Sequence, residues 1–262
     1  MTRLIRTELL KLRTMRLTYG LLAVSAALSL LFALLESNRA GASGTGVPPV
    51  STAAGLRTVT TVTGFAMLFA AVLGTIVASG EFRHATATLT YLATPRRARV
   101  LAAKAVAAAA AGSLFGLLAG LIATGAGLSF AAARGDRVTL SAGTLAGHVG
   151  GATAGAAVLA AAGVGLGSLI RSQLATVIGT FVWAIVIESI VGGLYPSVRP
   201  YLPYTAATTL AGTQPGSAAF GPAHDVAGTG PLPFVAGLAL LAALAAVIAL
   251  AAARTTVRRD IT

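Results

Sequence analysis

An all-α integral membrane protein with six transmembrane helices is the fold this sequence predicts, and three observations predict it. The 262-residue chain is 56% hydrophobic and only 10% charged, with a mean hydropathy of +0.84, whereas soluble domains run at about 45–50% apolar and about 25% charged. Its apolar residues gather into six runs, each near or above the ~20 residues a helix needs to cross a hydrocarbon core about 30 Å thick. Its net charge of +12 sits in the short segments between those runs. The basic residues therefore read as membrane-flanking, and no nucleic-acid partner is expected. A chain without cysteine has no disulfides, thiol nucleophiles or thiolate metal sites.

Residues 1–16 precede the first run. Ile5, Leu9 and Leu12 fall on one helical face and Arg3, Arg6 and Arg13 on another, the pattern of an interfacial helix, with Glu8, Lys11 and Arg13 among its polar positions. Such a helix either anchors to anionic lipid or touches a soluble partner. The first run, Leu17 to Leu35, has 19 residues, longer than a signal-peptide core of about 7–15 residues, so it is expected to be a retained span. The second run is Val59 to Ser79.

A basic, threonine-rich segment, 80–104, interrupts the apolar pattern as GEFRHATATLTYLATPRRARVLAAK. A helix beginning at Glu81 runs to about Ala93, because Pro95 disfavours helical geometry in the residue before it. Thr94 and Pro95 then start a second helix, with a hydroxyl cap followed by proline in the first turn. That helix carries Arg96, Arg97, Arg99 and Lys104 into the third run, Ala105 to Ala133.

The fourth run is Gly143 to Ile170. Gly112, Gly116 and Gly120 in the third run and Gly147, Gly151 and Gly155 in the fourth repeat every four residues, the spacing at which small residues let helix backbones approach closely in lipid. Both runs exceed the minimum length, so tilting or continuation beyond the bilayer is expected. The fifth run, Leu174 to Leu194, holds the one acidic residue well inside an apolar span, Glu188, and an ionisable group there marks a candidate site. Phe181, Ile185, Glu188 and Gly192 share one broad helical face. Two readings of Glu188 stand: contact with a cationic or polar substrate along a path or subunit interface, or a structural hydrogen bond to a neighbouring helix. Seven of the ten prolines fall between Pro196 and Pro233, which makes 195–232 an irregular connection. The sixth run is Pro233 to Ala253.

Charge orients the spans. Fourteen Lys and Arg side chains lie in the amino-terminal segment, 80–104, the Arg171 turn and the tail, against five in the alternate connections. Cytoplasmic loops are the basic ones, so both termini and the 80–104 segment are expected in the cytoplasm.

Three passages carry a resemblance to a known family: ELLKLRTMR from Glu8 to Arg16; the 80–104 segment through Glu81, Arg83, Thr86, Leu89, Pro95, Arg97 and Lys104; and YLPYTA from Tyr201 to Ala206. Together with the topology, they resemble the permease subunits of ABC exporters of the type-2 membrane-domain class. The resemblance implies a multi-pass protein of a bacterial-type cell membrane, an amphipathic helix before the first span and a coupling helix between the second and third. It also implies a short helix from Tyr204 to Leu210 dipping back toward the membrane, and a fifth span that helps to line the substrate path. ATP and Mg²⁺ would then belong to a separate ABC ATPase subunit, and the permease would pair with a second copy or a related permease chain, with membrane lipids around it. Glu81 and Arg83 would make charge-assisted contacts with the ATPase or the amino-terminal helix, and Leu89 or Tyr91 would seat in an apolar groove of the ATPase.

The residues agree on a missing ATP site. A P-loop needs Lys followed by Ser or Thr, and the two lysines, Lys11 and Lys104, precede Leu12 and Ala105. No catalytic constellation is expected either. His84, His148 and His224 lie in three separate regions, with no HExxH pair for a metal and no GxSxG elbow. The rival to a transporter is a six-span scaffold or sensor subunit that uses the same basic segment to dock a partner. For the segment alone, the rival is an amphipathic helix lying on lipid.

Overall fold

The structure is a computed structural model that describes residues 1–42, 44–83, 97–170, 172–213 and 232–255, with only the backbone of the helix-end residues 81–83 and 97. Every regular element among them is helical. In chain order these are α1 (Thr2–Thr14), α2 (Arg16–Arg39), α3 (Ala53–Thr60), α4 (Thr63–Arg83), α5 (Arg97–Ala133), α6 (Ala142–Ile170), α7 (Gln173–Leu194), α8 (Pro203–Leu210) and α9 (Phe234–Thr255). Six stretches are long and apolar enough to cross a membrane: α2, α3 with α4, α5, α6, α7 and α9. The chain is a multi-pass membrane protein.

Neighbouring contacts give the helix directions. Gly112, Gly116 and Gly120 of α5 lie against Ala156, Ala152 and Val149 of α6 in descending order, so α5 and α6 are antiparallel. Gly163 and Gly167 of α6 lie against Ala71 and Thr75 of α4 in ascending order, so α4 and α6 are parallel. The guanidinium of Arg134, just past α5, donates to the carbonyls of Asn38 (2.8 Å) and Ala40 at the end of α2. The end of the bundle that carries α1 is called the near end below, and the opposite one the far end.

The centre of the bundle is α4, where 89% of the most apolar stretch is buried, against 11% in α9. Its polar side chains stay buried because each bonds its own backbone: Thr75 donates to the Val72 carbonyl (2.7 Å) and Ser79 to that of Thr75 (2.6 Å). Since lipid tails are as apolar as leucine, no hydrophobic force holds these helices together, and close backbone approach must. A Cβ at Gly116 would run into the Ala152 carbonyl, one at Gly163 into that of Ala71, and one at Gly74 into that of Ala160. Towards the far end, a second core of Leu56, Val59 and Phe65 packs under α2, where the Phe32 and Phe65 rings stack at 4.9 Å.

Three sequence expectations change. Gly147 has open space where a Cβ would be, whereas Gly151 and Gly155 do meet a helix backbone closely, that of α8. The second span is not one helix: α3 and α4 meet at Thr61 and Val62. On α1, the buried residues are Glu8 and Leu12, while Leu9 is exposed.

Gly163→Ala should lower the unfolding free energy in detergent by about 1–3 kcal/mol, the usual range for overpacking, and Gly147→Ala should change it by about 0.5 kcal/mol or less. Chemical unfolding of the two variants side by side checks this.

Candidate functional site

The most constrained part of the bundle is where the short helix α8 is held. Its carbonyls at Leu210 and Ala207 lie against Gly151 and Gly155 of α6, nine and thirteen residues into that helix, or about 14 and about 20 Å along it at 1.5 Å per residue. So α8 lies within the length of the spans, where a helix end cannot rely on water for its unpaired backbone groups.

Each exposed donor at its start has a partner. Pro203, in the first turn, has no N–H. The Tyr204 and Thr205 amides donate to Glu188 Oε1 (2.7 Å) and Oε2 (2.9 Å), and the Ala206 amide donates to the Leu202 carbonyl (2.7 Å). Thr205 Oγ1 adds a bond to Oε2 (3.1 Å), and Trp183 Nε1 adds one to Oε1 (3.0 Å). These four donors fill the acceptor capacity of the carboxylate, which also sits at the positive end of the helix dipole.

A wide turn makes the tryptophan bond available. Val182–Ile187 is π-helical, and its i to i+5 bonding brings Trp183 over Glu188, five positions later. At the other end of α8, His148 Nδ1 donates to the Ala211 carbonyl (2.6 Å). Gly212 then takes φ +83, and a Cβ there would collide with the His148 ring, so both backbone and space require glycine. Anion at the start and imidazole at the finish complement the dipole at both ends.

Between α8 and the near end lies a half-open cavity of about 450 Å³, lined by α4, α6, α7, α8 and α9. Leu68, Leu166 and Leu241 supply apolar wall, Trp183, Ala184 and Glu188 line the α7 side, and Tyr204 closes the far side. Its size and apolar lining suit a small-molecule site.

At the near end, a second polar cluster joins α1 to α5. Lys104 Nζ lies 2.9 Å from Glu8 Oε2 and Lys11 Nζ 2.9 Å from Oε1, with the Glu8 and Lys104 side chains almost wholly buried. Burial raises the Glu8 pKa, but the Lys104 charge and the hydrogen bonds from Lys11 and Lys104 outweigh it and hold the carboxyl below its ordinary value. A basic residue expected on the membrane face is therefore the buried partner of an acid 96 positions earlier.

The sequence-predicted residues divide into groups. Glu8 meets both Lys11 and Lys104, and Arg13 is exposed. Glu81 and Arg83 are in the last turn of α4 and Arg97 is in the first turn of α5, while Thr86, Leu89, Tyr91 and Pro95 lie outside the described residues. Of the α7 face, Phe181 and Ile185 pack on the main core, Phe181 edge-on to Phe69 at 6.3 Å. Glu188 caps α8, and Gly192 lies against the Arg199 side chain. Sequence reading missed Trp183, His148 and Gly212 as parts of one assembly. Trp183 had a visible signal, being the one tryptophan in the chain and five residues from Glu188. Among the described residues, no three His, Asp or Glu side chains converge to hold a metal ion.

No protein-family model matches the chain, and no curated protein matches it. Fold and site together define a helical multi-pass membrane protein with a short intramembrane helix clamped above an apolar cavity.

Glu188→Ala strips the Tyr204 and Thr205 amides of their acceptor and should cost about 3 kcal/mol of unfolding free energy, at about 1–3 kcal/mol for each buried group left unpaired. Glu188→Gln, which keeps one of the two acceptor oxygens, should cost less; unfolding in detergent ranks the two. Because the folded Glu8 pKa is depressed, its stabilisation is complete above the ordinary Glu value of about 4.3 and is lost as pH falls through the folded value. The difference between wild type and Glu8→Gln should thus be about 3 kcal/mol at pH 7 and shrink below the ordinary carboxylate range, as unfolding measured across pH will report.

Proposed function

We propose that this chain is the permease subunit of an ATP-binding-cassette exporter of the type-2 membrane-domain class, working with a separate ATPase subunit and a second permease chain. The observation that carries the reading is the form of α5. It runs unbroken for 37 residues, about 55 Å at 1.5 Å per residue, against a hydrocarbon core of about 30 Å. One end adjoins the basic 80–104 segment, and the buried Glu8–Lys104 pair ties that end to α1. A rigid rod of this kind transmits a push at the near end to the far end, where Arg134 joins it to α2. Fourteen of the nineteen basic residues lie on the near-end segments, which supports a cytoplasmic near end facing the ATPase.

On this reading the division of labour is the one the resemblance implies. The ATPase binds ATP with Mg²⁺ and changes shape on hydrolysis; Glu81, Arg83 and Arg97 flank the segment through which the change reaches α4 and α5. The cavity under α8 is the cargo site, and α8 its cover on the far side.

Co-expression with candidate ABC ATPase subunits, followed by purification through a tag on the permease, tests the reading. The expected result is a stoichiometric complex with vanadate-sensitive ATP hydrolysis, and a fall in ATPase recovery of about tenfold, equal to about 1.4 kcal/mol of binding, for Arg83→Glu. A stable membrane complex that contains no ATPase would instead establish a scaffold or sensor subunit.

A further inference from the structure

The cavity under α8 also specifies what it accepts. Its wall runs along α6 from Val158 to Ile170, twelve positions or about 18 Å at 1.5 Å per residue, so the space is elongated along the bundle. Its polar groups are either committed or turned away from it. The Thr180 hydroxyl donates to the Thr176 carbonyl, the Trp183 N–H to Glu188, and the Glu188 carboxylate has its full set of donors. The Tyr204 hydroxyl has no hydrogen-bond partner, but it is buried in the protein and presents no surface to the cavity. Among the described residues, Glu188 is the one carboxylate in the lining, and no Lys, Arg or His joins it.

A charged ligand entering this space would lose its hydration and find no free partner in return. An uncharged chain would lose nothing of the kind. We propose that the cavity binds one elongated, uncharged apolar group, an alkyl chain or its equivalent, lying along α6 with its side against the Trp183 indole. That the bound group is also the cargo rests on the exporter reading above; the binding itself does not. Of the two roles the sequence left open for Glu188, the structural hydrogen bond to a neighbouring helix is the one made, and with its capacity spent on α8 the carboxylate leaves none for a cationic substrate.

Trp183 is the only tryptophan in the chain, lines the cavity and is half-exposed, so tryptophan fluorescence excited selectively at the indole reports on this site as a saturable phase above the linear quenching by surrounding acyl chains. The experiment uses the full chain in nanodiscs of unbrominated phospholipid and titrates 12-bromododecanol, 12-bromododecyltrimethylammonium and, in separate discs, phospholipid with brominated acyl chains. The expected result is saturable quenching by the neutral alkanol at one site per chain, with the cationic probe giving only the linear quenching of bilayer partition. Displacement of alkanol quenching by unbrominated dodecanol marks a free solute as the occupant, whereas quenching by brominated phospholipid that the alkanol cannot displace marks a lipid tail; either supports an alkyl-chain site. Ala162→Phe and, from the facing helix, Leu244→Phe both fill the cavity and should weaken the saturable phase by about tenfold or more. Linear quenching by every probe in the wild-type protein overturns the proposal, as does saturable preference for the cation. Neither ATP nor a partner enters the measurement, so its failure leaves the exporter reading standing, and loss of ATPase association leaves this result standing.

Discussion

A short helix set inside a bundle of membrane spans brings its unpaired backbone ends with it, and α8 depends on Glu188 for that reason. The first amides of a helix need acceptors, and hydrocarbon supplies none. Pro203 removes one donor from the count, Leu202 serves Ala206, and the two oxygens of Glu188 serve Tyr204 and Thr205. One carboxylate therefore decides whether α8 can occupy its place. With α8 in place, its carbonyls close on Gly151 and Gly155, Gly212 turns under His148, and Tyr204 forms the far wall of the cavity. Without that carboxylate, the same helix would carry buried, unpaired amides.

The bundle accommodates α8 because α6 is shaped to receive three neighbours. Its Ala152 and Ala156 meet the glycines of α5, Gly151 and Gly155 receive α8, and Gly163 and Gly167 receive α4. Apart from Val149 against Gly120, the closest contact positions on α6 carry only glycine and alanine. Close approach in turn lets α4 sit at the centre with its threonine and serine hydroxyls bonded to their own backbone. Where α6 and α4 diverge from α7 and α9, the space between them is the cavity. Trp183, with its N–H given to Glu188, joins the clamp on α8 to the cavity wall.

The six spans were legible from composition and run length alone, because hydrocarbon thickness imposes a length on apolar segments and leaves little else to decide. The glycine spacing on α5 was legible for the same kind of reason, since Gly112, Gly116 and Gly120 do meet α6. What a four-residue repeat does not encode is which helix lies opposite: Gly151 and Gly155 face α8, Gly147 faces open space, and the isolated Gly74 makes a closer contact than any repeat member except Gly151. Glu188 was visible as an acid in an apolar run, but its partners are backbone amides, which carry no sequence signature. Lys104 looked like one more basic residue at a membrane face until the fold brought Glu8 to it. The π-helical turn before Glu188 was invisible as well, because its residues, VWAIVI, read as ordinary span.

The two polar clusters lie at different depths, and each fixes a surface element to the bundle: Glu8–Lys104 fixes α1 to α5, and Glu188 fixes α8 to α7. The claim on which the rest hangs is that Glu188 keeps α8 inside. Since the chain has no cysteine, a single Thr208→Cys on α8, at a position buried in the fold, can be offered to a membrane-impermeant maleimide applied to both faces of reconstituted membranes. The account predicts that this thiol stays unlabelled while Glu188 is present and becomes labelled when Glu188→Ala is added. Labelling that is equally slow with and without the carboxylate, or rapid with it, would contradict the account.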